Sequence, residues 1–185
     1  MDEKKIIRAR IISGCMANLI SRGDIVIAVL CKPSQIRIGD IVLFKLRNKI
    51  KTKFDGRDVE VNYLAHRAVD RKILNGEGCF MQKGDMHFLA SPMKYEEAAG
   101  KVAFIQKKDY FIDTGKLKWK MVNSIFAINA IVEYRLVTGL DFIFWFLPGK
   151  KRESLERKII YLIRRPRRII FSASLPLARK LFRKK

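Results

Sequence analysis

The first half of the chain alternates short apolar runs with turn residues, the pattern of a many-stranded sheet. Residues 25–30 (IVIAVL) and 41–44 (IVLF) are continuous apolar runs rich in β-branched residues. Each follows a Gly-Asp pair, Gly23-Asp24 and Gly39-Asp40. Gly-Asp forms turns well, because glycine accepts φ > 0 and the aspartate side chain can bond nearby backbone. Residues 59–64 (VEVNYL) alternate apolar with polar, and residues 68–74 and 78–82 flank Asn75-Gly76, a strong hairpin signal. Residues 101–106 (KVAFIQ) and 110–112 continue the series. The polar, basic stretch 48–57 (NKIKTKFDGR) reads as a hairpin loop on the surface. These elements predict a mainly β fold built as a compact antiparallel sheet or barrel.

The pattern changes near Gly115. Residues 116–147 are apolar and helix-like, interrupted at Gly139 and ended by Pro148-Gly149. Residues 125–147 are long enough to cross a bilayer, but Glu133, Arg135 and Asp141 would then sit in hydrocarbon, so spanning is not expected. The aromatic run 142–147 (FIFWFL) fits either an interfacial wedge or the end of a core helix. The chain thus divides into a β domain, residues 1–115, and a helical, basic C-terminal extension, residues 116–185.

Charge adds a partner to this picture. The 185 residues carry a formal net charge of +21, which points to an anionic partner, either lipid headgroups or nucleic acid. Residues 150–185 hold 14 Lys and Arg against Glu153 and Glu156, so +12 of the excess lies there. Leu155, Ile159, Ile160, Leu162 and Ile163 share one helical side, with Arg157, Lys158, Arg164 and Arg165 mostly on the other. Such a segment suits the headgroup layer of an anionic membrane. Nucleic-acid backbone is the alternative partner, and a solvated basic tail the plainest reading. The opening MDEKKIIRARIISG has no apolar run for a signal peptide or an anchor, so the expected location is cytoplasmic and peripheral at the membrane. Cys15, Cys31 and Cys79 form no CxxC pair and are odd in number. Neither a zinc site nor a disulfide framework is expected, and no cofactor is implied.

Several segments matter together: 13–24 (SGCMANLISRGD), 39–44 (GDIVLF), 65–69 (AHRAV), 80–85 (FMQKGD) and 100–102 (GKV). Their order and spacing resemble the signal peptidase I family of the LexA/signal-peptidase-like clan. The family pattern is Ser-Gly-Ser-Met-x-Pro-x-(Leu/Ile)-x-x-Gly-Asp, then Gly-Asp-(Ile/Val)-Val-x-Phe, a base strand, Lys-Gly-Asp and Gly-(Lys/Arg)-Val. The resemblance covers roughly residues 11–105 and implies that family's mostly β catalytic fold. His66-Arg67-Ala68-Val69 looks like the branch with a histidine base. By resemblance, His66 is the general base and Cys15 stands at the nucleophile position, where the family has Ser. Ser13 matches the oxyanion-hole hydroxyl, Met16 a substrate-contacting residue, and Asp85 a structural support. The carboxylate that orients the base in the His branch has no counterpart in residues 87–92, and His87 is expected at the surface.

The chemistry is coherent by itself, since an imidazole beside a thiol can generate the nucleophilic thiolate. The function implied is an endopeptidase that cleaves a peptide or precursor protein after small residues, held at a membrane by its basic tail. Two alternatives stay open. One is a catalytically inactive peptide-binding module; the other is a peripheral membrane or nucleic-acid-binding protein on the same fold.

Overall fold

The computed structural model describes residues 5–16, 19–87 and 89–144, with side chains through residue 140. The tail, residues 150–185, and residues 145–147 of the aromatic run lie outside the described residues, so the expectations placed there carry no structural account. Eight strands come first: β1 (Ile6–Arg10), β2 (Ile25–Val29), β3 (Ile41–Phe54), β4 (Arg57–Leu74), β5 (Glu77–Lys83), β6 (Ser91–Lys94), β7 (Ala98–Gln106) and β8 (Phe111–Asp113). Among the described residues one α-helix, α1 (Leu117–Phe144), follows. The fold is therefore mainly β, as the pattern predicts.

Every strand pairing is antiparallel. The sheet runs β1-β2-β7-β3-β4-β5-β6, and β8 adds to β7. The glycines of the predicted turns explain why the chain reverses where it does. Gly23 and Gly39 have φ of 93° and 97°, which a residue with a Cβ rarely adopts. Asn75-Gly76 has positive φ at both positions, as a two-residue hairpin of primed type requires.

Residues 48–57 correct the sequence reading. They are not a loop, because β3 runs to Phe54, reverses at Asp55-Gly56 and returns as β4. Ile50 pairs with Val61, Thr52 with Val59 and Phe54 with Arg57. Lys51 pairs with Glu60 and Lys53 with Asp58. One face of this arm is thus a charge ladder and the other is largely apolar. The alternation is present in the sequence but is masked by the lysines.

Period-2 alternation buries both faces of the central strands. On β3, Ile41 and Leu43 join the main core with Val26, Val102, Ile105 and Phe126. Val42 and Phe44 join a second cluster with Ile36, Ala68 and Phe80. Helix α1 lays Trp119, Val122 and Phe126 on the main core, and Ala130 and Tyr134 on a third cluster with Val69 and Met81. Among the described residues, no helix is long and apolar enough to cross a membrane.

Candidate functional site

The loop between β1 and β2 carries Ser13, Cys15 and Met16. Backbone bonds tie its ends together: Ile11 N–H donates to the Asp24 carbonyl (2.8 Å) and Gly23 N–H to the Ile11 carbonyl (2.7 Å). The Asp24 carboxylate accepts from Ser21 N–H (2.6 Å) and pairs with Lys107. A second loop, after β5, clamps the first. Met86 N–H donates to the Cys15 carbonyl (2.8 Å), and Asp85 N–H donates to Met16 Sδ (3.3 Å). Met16 is fully buried. Its sulfur helps hold the two loops together.

His66 lies on β4 opposite Val42 and is 5% exposed. Gln82 on β5 stands opposite Ala68, two residues along the same face of β4. Its Oε1 accepts from His66 Nδ1, and its Nε2 donates to Ser91 Oγ. The proton therefore sits on Nδ1 and the lone pair on Nε2. His66 Nε2 is buried and makes no hydrogen bond. An amide, not a carboxylate, thus orients the ring, and it adds no charge.

Gly84 is where the two expected partners converge. A Cβ at this position would lie 3.0 Å from His66 Nε2, 3.1 Å from Cys15 Cβ and 2.9 Å from the Cys15 carbonyl oxygen. The imidazole nitrogen and the cysteine therefore flank a single point that only glycine leaves clear. The Cys15 thiol lies 3.0 Å from Ser13 Oγ, and either atom can donate in that bond. His87 is exposed, as expected, and meets His66 edge-to-face with ring centroids 5.6 Å apart.

Burial sets the protonation of both groups. It pushes the Cys15 thiol above its usual range, against the hydrogen bond from Ser13, and nearby Asp85 adds to the rise. It pulls His66 down from 6.5 to about 4, outweighing the bond to Gln82. The resting pair is thus neutral thiol and neutral imidazole at pH 7. Proton transfer between them is uphill, at about 1.4 kcal/mol for each unit separating the two pKa values.

The same shift makes stability depend on pH. Below pH 6.5 the unfolded His66 takes up a proton that the folded one refuses until about pH 4. Its contribution is complete above pH 6.5 and is lost as pH falls toward 4, by at most about 3 kcal/mol. Denaturant unfolding at pH 7 and pH 4 should show that component in the native chain and not in His66→Gln.

Asp85 is anchored by a buried ion pair. Arg67, fully buried, donates through Nε and Nη2 to the two Asp85 oxygens, each at 2.8 Å. Arg67 Nη1 donates to the Gly39 carbonyl (2.7 Å) and to Asn123 Oδ1 of α1 (2.8 Å). One guanidinium so links a turn, a helix and the loop that grips Cys15. Beside it, Lys83 of β5 pairs with Glu133 of α1 at 2.7 Å, both buried.

A groove of about 990 Å³ leads to the thiol. One wall is β1 with residues 11–13, and the other is the apolar face of the β3–β4 arm, including Ile50, Phe54, Val59 and Val61. Ser13 and Cys15 line it, whereas His66 does not. Arg22 spans the two sides, with its guanidinium 4.8 Å from the Phe54 ring centre and 3.4 Å from Asp55. A second cavity of about 480 Å³, beside Arg47, Cys79 and Met93, contains none of the expected site residues. Among the described residues, no group of three or more His, Cys, Asp or Glu is placed to hold a metal ion.

The sequence reading missed Gln82, Gly84 and Ser91. Gln82 and Gly84 flank Lys83 at the end of a strand, and period-2 alternation alone puts Gln82 on the same side as Phe80. Its partnership with His66 depends on the β4–β5 register, which the Asn75-Gly76 turn fixes. No protein-family model matches the chain, and no curated protein matches it.

Proposed function

We propose that this protein is an endopeptidase of the signal-peptidase kind, with Cys15 as nucleophile and His66 as general base. The convergence of the thiol loop and the unpartnered His66 Nε2 on Gly84 carries this reading. A polypeptide lying extended in the groove would present its carbonyl carbon to Cys15 Sγ. As the S–C bond forms, the thiol proton passes to His66 Nε2, and Gln82 holds the Nδ1–H that the imidazolium keeps. Ser13 Oγ, released from the thiol, then donates to the oxyanion. His66 returns the proton to the departing amine as the C–N bond breaks, leaving a thioester on Cys15. Water attacks that thioester, giving one proton to His66, which passes it to the sulfur as the acid departs. Preference for small residues at the cleavage site follows from the family resemblance. In the same reading, residues 150–185 hold the enzyme on an anionic membrane surface.

The test is cleavage of an extended-peptide library followed by mass spectrometry. Cys15→Ala and His66→Ala should each lower turnover by about 10³-fold or more, with the fold intact by circular dichroism. Turnover that persists in Cys15→Ala removes Cys15 as nucleophile.

Three observations favour a second reading, a peptide-binding module without turnover. At rest the thiol is bonded to Ser13, His66 Nε2 has no hydrogen bond, and the proton transfer is uphill. On that reading Cys15→Ala retains full peptide affinity, and the native chain cleaves nothing.

A further inference from the structure

Helix α1 is apolar on two faces, and the sheet uses only one of them. Trp119, Val122, Phe126, Ala127, Ala130 and Tyr134 are buried against the strands. On the opposite side, Leu117, Met121, Ile125, Ile128, Val132 and Leu136 are 72%, 63%, 44%, 62%, 49% and 48% exposed. These six are spaced by four, four, three, four and four residues. At 100° per residue they fall within one quadrant and a little more, centred opposite the buried face. Scattered apolar side chains at a surface are ordinary, but a continuous stripe along five turns of one helix needs an occupant.

The charges bordering the stripe identify that occupant. Lys118, Lys120 and Arg135 are exposed on the helix, and Arg135 also pairs with Asp70 of β4 at 3.1 Å. The acid Glu133 is buried against Lys83. Among the described side chains of α1, every exposed charge is therefore positive. A second copy of this chain would bring the same positive borders against each other, on a molecule of net charge +21. An anionic bilayer reverses the sign of that interaction. Its headgroups meet the lysines while the stripe enters the acyl boundary. A lysine stem can lie along the apolar surface with its ammonium raised to the phosphates.

We propose that the outward face of α1 lies flat on anionic membranes as a second lipid-contacting element, part of the folded body and separate from the basic tail. The proposal is independent of the Cys15–His66 chemistry, and Cys15→Ala should leave it untouched. The two contributions respond differently to salt. Attraction of the tail is screened, whereas insertion of the stripe persists.

The experiment is flotation of the full chain with vesicles of phosphatidylcholine containing phosphatidylglycerol, at 0.1 M and 0.5 M salt. Ile128→Glu/Val132→Glu should lower partitioning by at least about tenfold at the higher salt. The melting temperature should stay unchanged, since both side chains face outward. Ile128→Ser/Val132→Ser serves the same purpose should the acidic pair disturb folding, with a smaller loss in the same direction. Equal partitioning of native and variant chains at 0.5 M salt overturns the proposal. So does a native dimer, seen without lipid, that the substitutions convert to a monomer while vesicle binding is unaltered.

Discussion

Asp85→Asn is expected to destabilise the protein by about 3–5 kcal/mol, a large share of what a domain of this size possesses. Arg67 is 0% exposed and its guanidinium has both Asp85 oxygens at 2.8 Å. The amide removes the compensating charge while keeping the shape, so a buried cation is left facing a neutral group. The bonds from Arg67 to Gly39 and Asn123 remain, but two neutral acceptors do not offset the desolvation of a full charge. The loss should also reach the loop that carries Cys15, since Asp85 N–H and Met86 N–H are its clamps. Chemical denaturation gives the number, and a change under about 1 kcal/mol would show that the pair carries little of the fold.

Lys83→Met should cost a similar amount, and the reason can be separated from simple packing. The change leaves the Glu133 carboxylate buried without the cation that lies 2.7 Å away in the native chain. Asn129 still donates to Glu133 at 3.2 Å, which is a weak substitute for a charge. The double variant Lys83→Met/Glu133→Leu removes both charges and offers apolar side chains of similar volume. It should recover to within about 1 kcal/mol of the native protein or exceed it, because a buried ion pair gains little over a well-packed apolar one. A double-mutant cycle measures the coupling directly. If the double variant is as unstable as Lys83→Met, the fold depends on packing at this point and the electrostatic account fails.

How much of this could be seen in the sequence depends on how local each determinant is. The turns at Gly23, Gly39 and Asn75-Gly76 were legible because positive φ is a property of single residues. Apolar runs such as residues 25–30 located the buried strands. Of the β3–β4 arm, residues 59–64 were legible but residues 48–57 were not, because nearly all of the side chains there are exposed. Backbone pairing holds it, and burial supplies only a faint pattern. Cys15 and His66 were singled out from their neighbours in the chain. Gln82 was missed because its role arises only when two strands align in register and bring an amide beside the imidazole. Helix α1 was legible as a helix. The split between its packed and outward apolar faces was not, since the sequence does not say which face the sheet takes.

The dyad is tested most directly by a peptide electrophile that needs an activated thiol, such as an extended peptide ending in a vinyl sulfone. Incubation of the full chain and mass spectrometry of its peptides should show one adduct, on Cys15, with Cys31 and Cys79 unmodified. The adduct should disappear in His66→Ala. Labelling that spares Cys15, or that proceeds equally well without His66, would contradict the pairing of these two residues as nucleophile and base.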